Sequence, residues 1–211
     1  MALLTAAALP TGSISSREQP EITGTGVTLR PWEPTDRSAV VAAFADPAIQ
    51  RWHCLSLDDD EAAEWISQWP DRWRSERAAS WAILHDGLVA GQIGLRRLDL
   101  HEGMASISYW VLPSARGLRI APRALDALTG WSFSTLGLHR LELSHSTANP
   151  ASCRVAERSG FLAEGTKRSE ARHVDGWHDM HLHALLSTEA ETPNELSTDP
   201  GSAPAGIERQ Y

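Results

Sequence analysis

Hydrophobic and polar residues alternate with two different periods along the middle of the chain, and these periods predict a succession of strands and helices. A two-residue alternation indicates strands, and Asp86-Gly87 between two such runs is typical of a tight hairpin turn. Strands are expected at residues 27–30, 80–85, 88–98, 105–112, 140–144, 161–173 and 177–186. Helices are expected at residues 36–44 and 58–73, in a long segment that ends near residue 134, and at residues 152–159.

This order, β-α-α-β-β-β-α-β-α-β-β, predicts a mixed α/β fold. Hairpins in the middle and a later βαβ unit indicate a mixed, mostly antiparallel central sheet with helices on both faces. Pro70 is expected to break the second helix near Gln68-Trp69, because proline removes a backbone donor. Trp65, Trp69 and Trp73 are four residues apart and are expected to share one face of that helix.

Length and composition suit a single globular domain, with 211 residues of which 42% are hydrophobic. Residues 1–24 and 188–211 lack periodicity and are rich in small and polar residues, so both are expected to be flexible tails on a domain of residues 25–187. The net charge of -8 argues against nucleic-acid binding through a broad basic face. No apolar run approaches the roughly 18 residues of a membrane span, and a basic signal region is absent, so we expect a cytoplasmic protein without membrane contact.

A first candidate site lies where an expected strand meets the long helix. The N–H groups at a helix N-terminus suit phosphate, and Gly117 allows the backbone to approach a ligand closely. Arg116, Arg119 and Arg123 add positive charge to an otherwise acidic chain. An ordinary strand-to-helix connection with solvated arginines has the same pattern, so this segment alone leaves both interpretations open.

A second candidate site begins at Asn149-Pro150, a pair that favours a turn in which Asn149 caps the next helix. Ser152 then falls in the first turn of that helix. Taken alone, the segment favours helix capping.

Together the two segments resemble signatures of the GNAT superfamily of N-acetyltransferases, in the branch similar to ribosomal-protein N-terminal (alanine) acetyltransferases. The first is similar to the pyrophosphate motif Arg/Gln-x-x-Gly-x-Gly/Ala, with Arg116 and Ala121 matching and Arg119 in place of the inner glycine. The second is similar to Asn-x-x-Ser-x-x-Val-x-Glu-Lys/Arg-x-Gly-Phe, and it matches at Asn149, Ser152, Val155, Glu157, Arg158, Gly160 and Phe161.

The resemblance implies an acetyl-CoA-dependent enzyme in which a primary amine, such as a protein or peptide N-terminus, attacks the thioester directly. It implies that Asn149 bonds the pantetheine arm and that Ser152 protonates the departing thiolate. It also implies that a backbone N–H of Trp110 or Val111 binds the carbonyl oxygen. The full set of implied CoA-binding residues is Trp110, Val111, Arg116, Gly117, Leu118, Arg119, Ile120, Ala121, Asn149, Ser152 and Arg158. At position 119 a helical backbone would not require glycine, so Arg119 is expected to clamp the pyrophosphate rather than obstruct it.

The general base stays open, because Ser106 falls where many members of the family carry a glutamate. His145 is the first candidate, since an unperturbed histidine titrates near neutrality. His53, Glu102 and a water relay are the alternatives.

His178, His181 and His183 raise the alternative of a metal site. No cysteine or obvious carboxylate pair completes it in the sequence, and neither Cys54 nor Cys153 suggests a disulfide framework or a cysteine-based site, so no metal is expected.

The acceptor stays open as well, between a peptide N-terminus and a small-molecule amine or antibiotic. A non-catalytic acyl-CoA-binding module and transfer of a larger acyl group such as succinyl are further alternatives. Trp52, Trp65, Trp69 and Trp81 lie in segments that form the acceptor side in the family, where they either line an aromatic pocket or pack in the core. A homodimer is an option by resemblance only.

Overall fold

An eight-stranded mixed sheet forms the centre of the protein. The computed structural model describes residues 4–190. The sheet order is β1-β2-β3-β4-β5-β6-β8-β7, and every neighbouring pair is antiparallel except β5 and β6. This confirms the expected mixed, mostly antiparallel sheet. The strands are β1 (Ile22–Gly24), β2 (Val27–Pro31), β3 (Ala79–His85), β4 (Leu88–Asp99), β5 (Met104–Val111), β6 (Arg140–Ser146), β7 (Leu162–His173) and β8 (Gly176–Leu186).

Seven α-helices accompany the sheet in residues 4–190, and none is long and apolar enough to cross a membrane. Two of them, α2 and α7, were not expected from the sequence, and α7 includes residues 188–190 of the expected C-terminal tail. Helix α2 begins at a cap in which the Asp46 side chain accepts a hydrogen bond from the Ile49 N–H at 3.0 Å. The helices are α1 (Arg37–Ala45), α2 (Pro47–His53), α3 (Asp59–Ser67), α4 (Trp69–Arg74), α5 (Ile120–Trp131), α6 (Pro150–Arg158) and α7 (Ser187–Ala190).

The expected break at Pro70 is confirmed, since α3 ends at Ser67 and α4 begins at Trp69. Because of this break, the tryptophan side chains before and after it do not all point to the same core. Trp65 and Trp69 pack together at a ring distance of 5.2 Å, whereas Trp73 packs against Trp81 in a different core. The expectation of one shared tryptophan face is therefore wrong for Trp73.

Two hydrophobic cores cover the two faces of the sheet. The larger core lies under α5 and includes Ile107 of β5, and the smaller lies under α1–α4 and includes Trp110 of the same strand. Because successive side chains of a strand point to opposite faces, these two residues place α5 and the α1–α4 layer on opposite sides of β5.

The N-terminal segment is packed, which corrects the flexible tail expected at residues 1–24. Leu9 and Ile14 are buried in the larger core, and the Glu76 carboxylate accepts hydrogen bonds from the N–H groups of Ile14 and Ser15 at 2.8 and 3.0 Å. The segment continues into β1. It lacks periodicity because backbone hydrogen bonds hold it rather than a repeating apolar face. Residues 191–211 of the expected C-terminal tail lie outside the described residues.

Candidate active site

The parallel strands β5 and β6 separate halfway along their length and open a cleft. They pair only from Met104–Ile107 against 140–143, after which β5 continues to Val111 and β6 to Ser146 without further pairing between them. The cleft between them has a volume of about 580 Å³. Residues of β5 and β6 line the cleft together with residues of α2, and the helices α5 and α6 begin beside it.

The open edge of β5 presents the backbone groups of Tyr109 and Val111. Leu112 N–H donates to Ala90 of β4 at 2.9 Å, and a Cβ atom added at Gly91 would lie 2.4 Å from the Trp110 carbonyl oxygen. Even-numbered residues therefore face β4, and odd-numbered residues face the cleft, because backbone groups alternate along a strand.

Of the two N–H groups expected to contact a thioester, Val111 thus faces the cleft and Trp110 does not. The Trp110 side chain is buried in the smaller core.

The loop before α5 reaches the cleft through Arg116, Gly117, Arg119, Ile120 and Ala121. No side chain among residues 4–190 caps α5, so the first N–H groups of this helix are open to a ligand. Leu118 departs from the expectation: it is 47% exposed and does not line the cleft.

Arg119 adopts a left-handed backbone with φ of 57°, where a helical backbone was expected. Only glycine visits this region without steric cost, and another residue type loses about 1–2 kcal/mol there. The inner glycine of the motif is thus explained by the backbone, and the argument that this position does not need glycine is wrong.

Arg116 forms an ion pair with a carboxylate of the protein. Its Nη2 atom lies 2.6 Å from Oδ1 of Asp46, the residue that caps α2. This hydrogen bond holds the pKa of the Asp46 carboxyl below its usual range. Arg116 therefore joins the loop to α2, and its charge is largely neutralised.

Three other guanidinium groups line the cleft and have no carboxylate partner among residues 4–190: Arg119, Arg154 and Arg158. Arg154 and Arg158 are four residues apart and share one side of α6. Arg154 was missed from the sequence, although its spacing from Arg158 was a usable signal.

The start of α6 brings Asn149 and Ser152 to the cleft. Asn149 Oδ1 accepts the Ser152 N–H at 3.2 Å, which confirms the expected cap. Tyr109 O–H donates to Ser152 Oγ at 3.3 Å. Burial raises the pKa of Tyr109 to about 12, so the phenol stays protonated. Tyr109 was missed because only the geometry of the separated strands brings it to Ser152.

His145 lines the cleft, but both of its ring nitrogens lie close to other protein atoms. It is 5% exposed, its Nδ1–H donates to the Ser146 carbonyl at 2.9 Å, and its Nε2 atom lies 3.2 Å from Nε2 of His183. Burial lowers the pKa of His145. The geometry gives this ring little opportunity to act as a base.

The other two candidate bases are placed very differently. His53 lines the cleft and donates to the Tyr109 carbonyl at 3.2 Å, and burial lowers its pKa to about 4. Glu102 is exposed in the β4–β5 turn and does not line the cleft.

A second cavity of about 460 Å³ adjoins the cleft and shares Trp52, His53, Ser108 and Trp110 with it. Three of the four tryptophans expected on the acceptor side line this cavity, whereas Trp81 is fully buried in the larger core. We call it the aromatic pocket, defined by Phe44, Trp52, Trp65, Trp69, Arg72 and Arg96.

The aromatic pocket is rich in hydrogen-bond donors. Arg96 and Arg72 lie over the Trp69 ring at 5.0 and 5.1 Å, and no carboxylate in the described part of the chain pairs with either. Burial, and secondarily Arg72, lowers the pKa of Arg96. The buried Nε1 atom of Trp69 has no hydrogen-bond acceptor within residues 4–190. These donors together suit an anionic group.

Comparisons with known proteins agree with this geometry. A family model described as "Acetyltransferase (GNAT) domain" matches residues 27–162. The probable N-acetyltransferase YjcK of Bacillus subtilis (strain 168) is 31% identical over 179 residues, which cover 80% of this chain and 98% of YjcK. The ribosomal-protein-serine acetyltransferase of Escherichia coli (strain K12) is 30% identical over 109 residues, 52% of this chain and 61% of its own length.

Solved structures show the same fold. The structure of Mycobacterium smegmatis RimJ, in complex with CoA-disulfide, matches with a TM-score of 0.73 at 25% identity and covers 82% of this chain and 88% of that one. The family model spans more than half of the chain, and YjcK is matched over almost its full length. The chain therefore belongs to the GNAT family and is an acetyl-CoA-dependent N-acetyltransferase.

Proposed function

We propose that the protein acetylates the α-amino group of a protein or peptide N-terminus that carries an acidic group close to the amine. The aromatic pocket is the main support for this class of substrate. Beside the open edge of β5 it offers cationic and N–H hydrogen-bond donors that have no carboxylate or other acceptor as a partner among residues 4–190. The similarity to the ribosomal-protein-serine acetyltransferase of Escherichia coli (strain K12) supports this acceptor class.

In this proposal acetyl-CoA lies along the cleft between β5 and β6. Arg119, Arg154 and Arg158 would hold the pyrophosphate together with the uncapped N–H groups of α5. Asn149 uses its oxygen in the cap, so its amide NH₂ is free to donate to the pantetheine arm.

The chain's own groups can promote both halves of acyl transfer. Val111 N–H would donate to the thioester carbonyl oxygen as charge develops during attack by the amine. When the C–S bond breaks, Ser152 would donate its proton to the thiolate. Tyr109 O–H already donates to Ser152 Oγ, which leaves the serine hydrogen free for this purpose.

A strong base is not required for an α-amino acceptor. Its pKa is about 8, so roughly a tenth of it is neutral at pH 7. We propose that water in the cleft takes up the proton that the α-amino group loses. His53 is neutral at that pH, and its Nδ1 can accept a hydrogen bond from such a water while Nε2–H donates to the Tyr109 carbonyl.

The acceptor proposal is tested with a peptide panel in a thiol-release assay with acetyl-CoA. The panel pairs peptides that differ only by an acidic or a neutral residue near the N-terminus, and it includes aminoglycosides as small-molecule amines. We expect kcat/KM to be at least about tenfold higher for the acidic peptides, as loss of a charge-assisted hydrogen bond would predict.

Arg96→Gln should remove most of this preference, whereas Arg77→Gln, an exposed arginine outside the aromatic pocket, should retain it. Equal kcat/KM for acidic and neutral peptides would refute the acceptor class, and turnover confined to aminoglycosides would favour a small-molecule acceptor.

A further inference from the structure

Four metal-ligating side chains converge beneath α6. Among residues 4–190, the ligand atoms of His145, Cys153, His181 and His183 all lie within 4.8 Å of one another. His145 and His181 are directly opposed on β6 and β8, and His183 follows two residues later on the same face of β8. Cys153 completes the group from α6, so the reason for expecting no metal, the lack of a cysteine near the histidines, is wrong in three dimensions.

The hydrogen bonds around the two buried histidines fix which nitrogens carry hydrogen. His145 Nδ1 lies 2.9 Å from the Ser146 carbonyl oxygen, and His183 Nδ1 lies 3.4 Å from that of Phe161. A carbonyl only accepts, so both Nδ1 atoms donate and both Nε2 atoms are left with lone pairs. These two Nε2 atoms face each other at 3.2 Å.

Two lone pairs at this distance repel unless a proton or a metal ion binds them. An imidazole whose far nitrogen donates to a carbonyl is also the usual arrangement of a metal-bound histidine. Cys153 Sγ lies 3.9 Å from His183 Nε2, on the same side of the sheet.

We propose that His145, Cys153, His181 and His183 bind one Zn²⁺ ion. Zinc favours four nitrogen and sulfur ligands in a tetrahedron, with bonds of about 2.0–2.1 Å to histidine and 2.3 Å to cysteine. Ligand atoms in such a tetrahedron are roughly 3.3–3.6 Å apart. The observed 3.2 and 3.9 Å contacts lie on either side of this range, and no pair of the four ligand atoms is more than 4.8 Å apart, so side-chain rotations that move these atoms by about 1 Å would complete the site.

Charge and protons balance at this site. Zinc binding replaces the thiol hydrogen of Cys153 with a Zn–S bond and releases one proton to solvent. The ion and the thiolate together carry a single positive charge. Glu157 Oε1 accepts the Cys153 thiol hydrogen at 3.4 Å. Zinc binding removes this hydrogen bond, and the negative charge of Glu157 then offsets the net charge of the ion and the thiolate.

All four positions of the zinc are filled by protein, so the ion is structural. It fastens α6 to β6 and β8, and α6 holds Ser152 next to Cys153. The zinc would thereby position Ser152 without contacting a substrate. Zinc binding is measured without any amine acceptor. A negative result for zinc is therefore distinguishable from a negative result for the proposed acceptor class.

The test measures metal content and a cobalt spectrum on untagged, full-length protein purified without chelators. We expect about one zinc per chain by mass spectrometry of the metals. After zinc removal, Co²⁺ should produce visible bands of a tetrahedral site together with a thiolate-to-cobalt charge-transfer band.

Cys153→Ala should abolish the charge-transfer band and lower zinc content at least about tenfold, whereas the matched control Cys54→Ala, at the exposed second cysteine, should change neither. Wild-type protein without zinc and without a cobalt spectrum would overturn the proposal. So would a charge-transfer band that survives in Cys153→Ala or disappears in Cys54→Ala. The wild-type spectrum decides the question even where Cys153→Ala does not fold.

Discussion

Replacing Arg119 with glycine should make the protein more stable and at the same time weaken its binding of CoA. The backbone of Arg119 is left-handed, with φ of 57°. Glycine adopts this conformation without steric cost, which should raise the free energy of unfolding by about 1–2 kcal/mol. The greater conformational freedom of glycine in the unfolded chain offsets part of this gain. The net gain is about 0.5–1 kcal/mol, or about 1–4 °C in Tm for a domain of this size.

The guanidinium is exposed, so its contribution to phosphate binding is modest. A charge-assisted contact at such a position is worth about 1 kcal/mol, which corresponds to a roughly fivefold rise in the Kd of CoA. Thermal unfolding and calorimetric titration with CoA measure the two effects separately on the same variant.

Arg119→Ala separates charge from backbone, because it removes the guanidinium but keeps a Cβ atom in the left-handed region. It should bind CoA as weakly as Arg119→Gly and be about 1 kcal/mol less stable than that variant. Leu118→Ala, at an exposed neighbour outside the cleft, is the control for both measurements. Tighter CoA binding by Arg119→Gly would show that Arg119 obstructs the pyrophosphate. A glycine variant no more stable than the alanine variant would refute the backbone argument.

Three further variants test other parts of the structure. Ser152→Ala should lower kcat by about 100-fold while the Kd of CoA changes less than about threefold, because a general acid acts on the leaving group; unchanged turnover in the thiol-release assay would exclude Ser152 as the acid. Asp46→Asn should lower stability by up to about 1 kcal/mol in thermal unfolding, because Asn keeps the α2 cap but loses the ionic partner of Arg116, and an unchanged Tm would show that this ion pair contributes nothing. Although burial opposes it, hydrogen bonds from Gly12, Ser15 and Ile14 lower the pKa of Glu76. The ionised Glu76 carboxylate should therefore keep the N-terminal segment packed at and above pH 4.5, the ordinary pKa of a glutamate. The segment should detach as the pH falls through the lower pKa that Glu76 has in the folded protein. Hydrogen exchange of its amides measures this release, and Glu76→Gln should abolish the pH dependence; equal dependence in both proteins would exclude Glu76 as its source.

The parts of the fold that the sequence predicts well are those determined by neighbouring residues. Asp86-Gly87 forces a hairpin between β3 and β4, and Pro70 separates α3 from α4 wherever the rest of the chain lies. The Asn149 cap is similarly local, because donor and acceptor are three residues apart.

The features that the sequence did not predict depend on contacts between distant segments. Cys153 meets His183 only because α6 crosses β8, and Tyr109 meets Ser152 only because β5 and β6 separate. Arg96 is placed over Trp69 by the packing of α4 on the sheet. In each case the chemistry arises from strand register and helix placement, which local patterns do not contain.

In the proposed reaction the open edge of β5 binds the thioester and Ser152 donates a proton to the thiolate. The decisive measurement is a crystal structure with a non-reactive acetyl-CoA analogue. The carbonyl oxygen of the analogue should lie about 3 Å from the Val111 nitrogen, and its sulfur position should lie within reach of Ser152 Oγ. A carbonyl bound away from Val111, or a sulfur position remote from both Ser152 and Tyr109, would contradict it.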